Sequence, residues 1–370
     1  LPNLDGLRCV GALAILFIHI EDIKEFAGKA MMPWGVFAKP LGNHAVSLFF
    51  VLSGFIITYL LLKEKEHTGT INLKNFYIRR ILKIWPLYYL IVLVGFFVLP
   101  HLDTFFSVSY SPWKNGPLFK YALSALLFLP AGAVGLLGGK FPTIGATWTV
   151  RVEEAFYLFW PVLLKRSKNY VRVMVIIIIA VMLARYGFAA IALVCHYRLL
   201  VPGAVKTIWL DLNDYRFSCM AFGALGAYFV VSDNKKILNV LFRKDLQWLV
   251  YVVAALLLLI YRKHESLLYE PSSALFAIMI MNLAANPNTV IKLDYKPLNY
   301  LGKISYGIYL YNPIMRILGL ELTEKLFGDV IGWQANLLFY TLSVAFTIVV
   351  SAISYEFFEK YFLRMKGRFA

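Results

Sequence analysis

Apolar runs of about twenty residues recur along this chain, each long enough to cross the hydrocarbon core of a bilayer. They fall at residues 5–26, 43–63, 75–99, 145–165, 171–195, 214–232, 245–262, 270–286, 302–320 and 333–363. Inside lipid, every backbone N–H and C=O must be bonded within the protein. Continuously apolar runs achieve this as helices, whereas barrel strands alternate. The composition agrees: 60% of the 370 residues are hydrophobic and 16% are charged, against about 45–50% and 25% in soluble domains. The expected fold is an all-α polytopic membrane protein, a single bundle of about ten transmembrane helices forming one domain over residues 1–370. The first run has no basic stretch ahead of it and reads as a span, not as a cleavable signal.

A net charge of +16 would point to nucleic acid in a soluble protein. Here Lys and Arg sit in short loops between apolar runs, where they set orientation and meet anionic lipid, so no nucleic-acid partner is expected. Residues 63–83, 165–172, 235–244, 292–303 and 360–368 hold 21 of the 37 Lys and Arg. An eleventh apolar stretch, 119–138, decides whether these segments share a side. If it does not cross, they do, and 11 Lys and Arg lie opposite. Arg8, Arg151, Arg185, Arg216 and Arg316 then remain inside spans. The positive-inside rule therefore predicts ten crossings with both termini cytoplasmic. Pro130, Gly132, Gly135, Gly138 and Gly139 suit 119–138 to a re-entrant or broken segment.

Arg8 and His19 interrupt the first run eleven residues apart, which puts them on one helix face about 16 Å apart. Ionisable groups within a span usually face a bundle interior or wet cavity, and a neutral His can act as general base. The alternative is a hydrogen-bonded His and a snorkelling Arg. Ser53-Gly54 breaks the second run, and close helix packing is its first reading. Arg79, Arg80 and Lys83 form a basic cluster that serves either as a topology anchor or as a phosphate clamp. Helical spacing puts Arg79 and Lys83 on a shared face. Glu153 and Glu154 open a later span. One of them can face a site, and orienting a histidine is a common carboxylate task. Ser305, Tyr306, Tyr309 and Asn312 form a polar stripe that lines a sugar site or bonds helix to helix. Cys9, Cys195 and Cys219 read as small buried hydrophobes, and no metal-ligand set, P-loop or dinucleotide fingerprint is present.

Six segments, in order, resemble the acyltransferase-3 family of bacterial membrane O-acyltransferases. The opening LDGLR with ten residues between Arg8 and His19 is similar to its Arg-X10-His signature. Phe50–Lys63, Phe76–Tyr88, Trp148–Pro161, Leu301–Leu310 and Ser354–Phe362 resemble its F-x-L-S-G-F, F-x-x-R-R-x-x-R-I-x-P-x-Y, W-S-L-S-V-E-E-Q-F-Y-L, L-G-x-I-S-Y and S-Y-x-F-x-E segments. Lys83, Thr149, Arg151, Asn312 and Tyr361 depart from those patterns. The resemblance implies transfer of an acyl group, usually acetyl from acetyl-CoA, to a hydroxyl of a cell-surface or exported carbohydrate at the bacterial cytoplasmic membrane. It implies His19 as base, with Arg8 and Glu153 in the catalytic set and Arg79, Arg80 and Lys83 on the acyl-CoA donor. Ser53, Trp148, Ser305 and Tyr306 would line the substrate site. The donor is a substrate, and no permanently bound cofactor is expected. The rival is a transporter or flippase of a lipid-linked glycan, which a similar set of polar stripes would also serve.

Overall fold

The computed structural model describes residues 1–102, 125–128, 144–197, 215–260, 268–328, 330 and 332–369, and the regular structure among them is helical throughout. In chain order the helices are α1 (Leu4–Phe26), α2 (Pro33–Thr68), α3 (Leu73–Leu93), α4 (Thr147–Arg166), α5 (Tyr170–Tyr197) and α6 (Phe217–Val231). They continue as α7 (Lys235–Leu241), α8 (Lys244–Ile260), α9 (Tyr269–Ala285), α10 (Lys296–Lys303), α11 (Ser305–Phe327), α12 (Trp333–Ser354) and α13 (Lys360–Met365).

Each of the ten predicted spans coincides with a helix, α7 and α10 being short additions. The expected ten crossings are a different matter. Among the described residues, four helical segments are long and apolar enough to cross a membrane by themselves: Leu41–Thr68, Leu73–Val98, Tyr170–Gly187 and Trp333–Phe369. The other six fall short for two physical reasons. Helices α6, α8 and α9 have only 15, 17 and 17 residues. Helices α1, α4 and α11 carry ionisable groups such as Glu21, Lys24, Arg151 and Arg316, buried against neighbouring helices. The chain is a multi-pass helical membrane protein, part of whose bundle is polar inside. The stretch 119–138 lies outside the described residues except for 125–128. There the Ala125 and Leu126 carbonyls accept hydrogen bonds from the Tyr88 and Tyr89 hydroxyls of α3 at 2.7 and 3.1 Å.

Helix α2 sits at the centre. It runs antiparallel to α1, with Gly42 facing Ile18 and Phe49 facing Gly11. It meets α6 almost backbone to backbone. A Cβ on Gly54 would lie 2.0 Å from the Met220 carbonyl oxygen, and one on Gly223 1.9 Å from that of Val51. Small residues are what allow this approach inside a bilayer. The packing reading of Gly54 is therefore correct, while Ser53 beside it turns elsewhere. Gly54→Ala is expected to push the helices apart and destabilise the fold by about 1–3 kcal/mol or more. A lowered melting temperature of the purified protein would check this.

Hydrogen bonds gather the five basic segments at one end of the bundle. Lys65 Nζ donates to Tyr170 OH at 2.7 Å, and Arg79 Nη1 to the Phe369 carbonyl at 2.6 Å. Leu293 N donates to Asn3 Oδ1 at 2.7 Å, and Asn286 Nδ2 to the Phe242 carbonyl at 3.1 Å. The first and last described residues thus share the basic end.

Candidate active site

A cavity of about 150 Å³ lies toward the basic end, enclosed by α1, α2, α3, α4, α10 and α11. Its lining holds four cations, Arg8, Arg80, Lys83 and Lys303, against one carboxylate, Glu153. Arg8 is held by Asp5 Oδ1 at 3.0 Å. Arg80 is 7% exposed, and its guanidinium lies over the Phe76 and Tyr157 rings at 5.6 and 5.8 Å. Its Nε has no hydrogen-bond partner. Lys83 makes no hydrogen bond or ion pair among the described residues. The four cations differ in setting: Arg80 is buried, Arg8 and Lys83 are partly exposed, and Lys303 is exposed. Together they give the cavity a net positive lining that suits an anion.

A polar chain crosses the cavity wall. Tyr157 OH donates to Glu153 Oε2 at 3.2 Å, and Ser53 Oγ is hydrogen-bonded to Tyr157 OH. Tyr306 donates to the Ile84 carbonyl at 3.0 Å, and Thr149 Oγ1 to Tyr309 OH at 3.0 Å. Ser53, Ser305, Tyr306 and Tyr309 all line the cavity. The stripe on α11 therefore does both things: it faces the site and ties α11 to α3 and α4.

Three of the predicted site residues lie elsewhere. Arg79 turns away to Glu64 Oε2 at 2.7 Å and to the Phe369 carbonyl. The pair facing the cavity is thus Arg80 and Lys83, three residues apart, rather than Arg79 and Lys83. A 100° step per residue leaves that choice to the neighbours, and Glu64 takes Arg79. Trp148 packs on Phe50 and lies 5.8 Å from the Arg216 guanidinium. His19 lies eleven residues beyond Arg8 on α1, about 16 Å along the axis, and does not line the cavity.

His19 has its own setting. Its Nδ1 is 2.7 Å from Asp22 Oδ2, and the pair is partly exposed, 36% and 27%. Arg316 Nη1 donates to the His19 carbonyl at 2.5 Å. The carboxylate beside the histidine is therefore Asp22, and not Glu153, which belongs to the cavity. An i, i+3 contact within α1 reaches the imidazole more simply than a residue from another helix. That spacing was readable in the sequence. With Asp22 bonded at Nδ1, Nε2 is left as the acceptor, an arrangement that orients the ring.

Two further buried polar groups flank the bundle. On α1, Lys24 Nζ donates to Glu21 Oε1 at 3.0 Å and to Asn336 Oδ1 at 2.7 Å. Around α9, Glu270 accepts from Arg185 Nη1 and Nη2 at 2.7 and 2.9 Å, and from Ser218 at 2.9 Å. Arg216 stacks 3.7 Å from the Tyr269 ring centre in the same region. Both groups are saturated internally and read as structural. Cys9 and Cys219 are buried free thiols, as expected.

Comparison with known proteins bears on this constellation. The chain is 26% identical to the peptidoglycan O-acetyltransferase OatA of Listeria monocytogenes, over 97% of this chain and 55% of the relative. It is 25% identical to a putative O-acetyltransferase of Staphylococcus aureus, over 97% of this chain and 56% of that protein. A putative peptidoglycan O-acetyltransferase of Bacillus subtilis, YrhL, is 24% identical over 97% and 54%. The chain thus spans about half the length of these curated relatives. No solved structure matches it. The model of the family described as "Acyltransferase domain" matches residues 1–356, an interval that contains both the basic cavity and the His19–Asp22 pair, and the chain therefore belongs to the acyltransferase-3 family.

Proposed function

We propose that this chain is the membrane-embedded part of an O-acyltransferase that moves an acyl group, acetyl from acetyl-CoA, to a carbohydrate hydroxyl of the cell envelope. The observation that carries the reading is the pairing of a cation-rich cavity at the basic end with a His–Asp pair three turns further along the same helix. By the positive-inside rule the basic end faces the cytoplasm, where CoA resides. Arg80, Lys83 and Arg8 would hold the donor's phosphates, a role suited to guanidinium and ammonium groups. The arm between the CoA phosphates and its sulfur is about as long as four extended residues, roughly 14 Å. A donor anchored in the cavity and extended along α1 would bring its thioester close to the level of His19.

There His19 Nε2 would take the proton of the acceptor hydroxyl as the oxygen attacks the thioester carbon. The carbon–sulfur bond breaks with its electron pair going to sulfur, and the imidazolium, balanced meanwhile by Asp22, returns the proton so that CoA leaves as the thiol. The names of the relatives favour cell-wall glycan as the acceptor class.

The test is thiol release from acetyl-CoA by the purified protein in nanodiscs, with and without soluble glycan fragments. Glycan-dependent thiol release with acetylated product is expected. Glycan translocation without thioester consumption would instead point to a flippase. Within this scheme Arg80→Ala is expected to raise the donor KM about tenfold, the worth of one charge-assisted contact, with the acceptor KM unchanged. Steady-state kinetics in both substrates check it.

A further inference from the structure

Arg316, on α11, stands against the peptide unit of His19. Its Nη1 donates to the His19 carbonyl at 2.5 Å, its one hydrogen bond among the described residues. Arg316 is 9% exposed, and its Nε is buried without a partner. It forms no ion pair among the described residues. The carboxylate of Asp22, one turn along α1 from that carbonyl, is bonded through Oδ2 to His19 Nδ1 at 2.7 Å. A guanidinium offers five N–H donors, and burying its charge with so few of them used is costly. Tying α11 to α1 does not account for the charge, because a neutral amide can donate to the same carbonyl.

Acyl transfer has a place for it. When a hydroxyl attacks a thioester, the carbonyl π pair moves onto oxygen, and the resulting oxyanion needs donors aimed at it. His19 takes the proton and Asp22 balances the imidazolium, so neither stabilises the oxyanion. A base about 3 Å from the hydroxyl and a donor about 3 Å from the oxyanion lie roughly 8 Å apart at most. A guanidinium anchored on the base's own peptide unit is on that scale. Arg8 is about 16 Å down the axis, and Arg80 and Lys83 line the cavity with it. Lys24 is taken up by Glu21 and Asn336.

We propose that Arg316 is a catalytic residue whose unbonded N–H groups hold the oxyanion of the tetrahedral intermediate formed beside His19. The assignment rests on the acyltransferase reading above. The hydroxyl oxygen bonds to the thioester carbon, its proton passes to Nε2, and the carbonyl pair moves to the oxygen facing Arg316. Collapse re-forms the C=O and breaks the carbon–sulfur bond with its pair on sulfur, which takes the proton back from the imidazolium.

The test uses the full chain in nanodiscs with acetyl-CoA and soluble glycan fragments. Arg316→Ala is expected to lower kcat by about 10²–10³-fold, the usual loss for one oxyanion donor, with both KM values and CoA affinity unchanged. Arg316→Gln, which can still donate to the His19 carbonyl, is expected to lose kcat similarly and to keep the parent's melting temperature. Millimolar guanidinium ion is expected to restore part of the turnover of Arg316→Ala without affecting the parent. Should Arg316→Ala not fold, Arg316→Gln decides. A glutamine variant with the parent's kcat overturns the proposal and leaves Arg316 as a tie between helices. So does a loss that falls equally on kcat and CoA affinity and that guanidinium does not relieve. A parent that consumes no thioester overturns the acyltransferase reading and this assignment with it, whereas active Arg316 variants in an active enzyme overturn the assignment alone.

Discussion

Replacement of His19 by alanine is expected to cut acyl transfer by about 10²–10⁴-fold, the usual contribution of a general base. The fold should survive, because the imidazole is partly exposed and is bonded to Asp22 of its own helix. Arg316 bonds the His19 backbone carbonyl, which the substitution leaves in place. Asp22→Asn keeps the shape of the partner and removes its charge. It can also present its amide to Nδ1 and select the wrong tautomer. It is expected to lower kcat more than tenfold while acceptor KM changes little. Parallel measurement of kcat, both KM values and melting temperature separates this from a folding defect. Near-normal turnover of His19→Ala would remove the histidine from the mechanism.

The second large effect concerns stability. Glu270 is 3% exposed and accepts hydrogen bonds from Arg185, Tyr186 and Ser218. Glu270→Ala would leave the buried Arg185 charge without its bidentate partner. Breaking a buried pair from one side costs about 3–5 kcal/mol, which should appear as a sharp drop in melting temperature or in folded yield. Glu270→Gln should be milder, since it keeps one acceptor oxygen. A Glu270→Ala protein as stable as the parent would mean that water or another carboxylate compensates Arg185.

The sequence revealed helix positions far better than side-chain partners. Continuous apolarity located a helix at each predicted run, because backbone bonding in lipid leaves few other solutions, but among the described residues four segments are long and apolar enough to cross by themselves. The distribution of Lys and Arg likewise matches their gathering at one end. Which helices cross unaided was harder to read, since α6, α8 and α9 are short and α1, α4 and α11 carry polar groups that become tolerable through tertiary contacts. At the site, Arg8, Arg80, Lys83, Glu153, Ser53, Ser305 and Tyr306 converge on one cavity. Arg79 and Trp148 were indistinguishable from them in sequence. Glu64 draws one away and the Arg216 region the other, and those partners lie 15 and 68 residues distant along the chain. Asp22 was the reverse case, legible at i, i+3 from His19, yet overshadowed by a second acidic pair in a stronger motif.

One measurement bears most directly on the division between a donor cavity at the basic end and a histidine on the far side of it. A CoA analogue bearing a photoreactive group near its phosphates can be irradiated with the purified chain, and the labelled residues mapped by mass spectrometry. The expected result is labelling around Arg80–Ile84 and Gly302–Tyr306, suppressed by excess CoA and lost in Lys83→Ala. Labelling confined to the Arg185–Glu270 region, or labelling that excess CoA does not suppress, would contradict it.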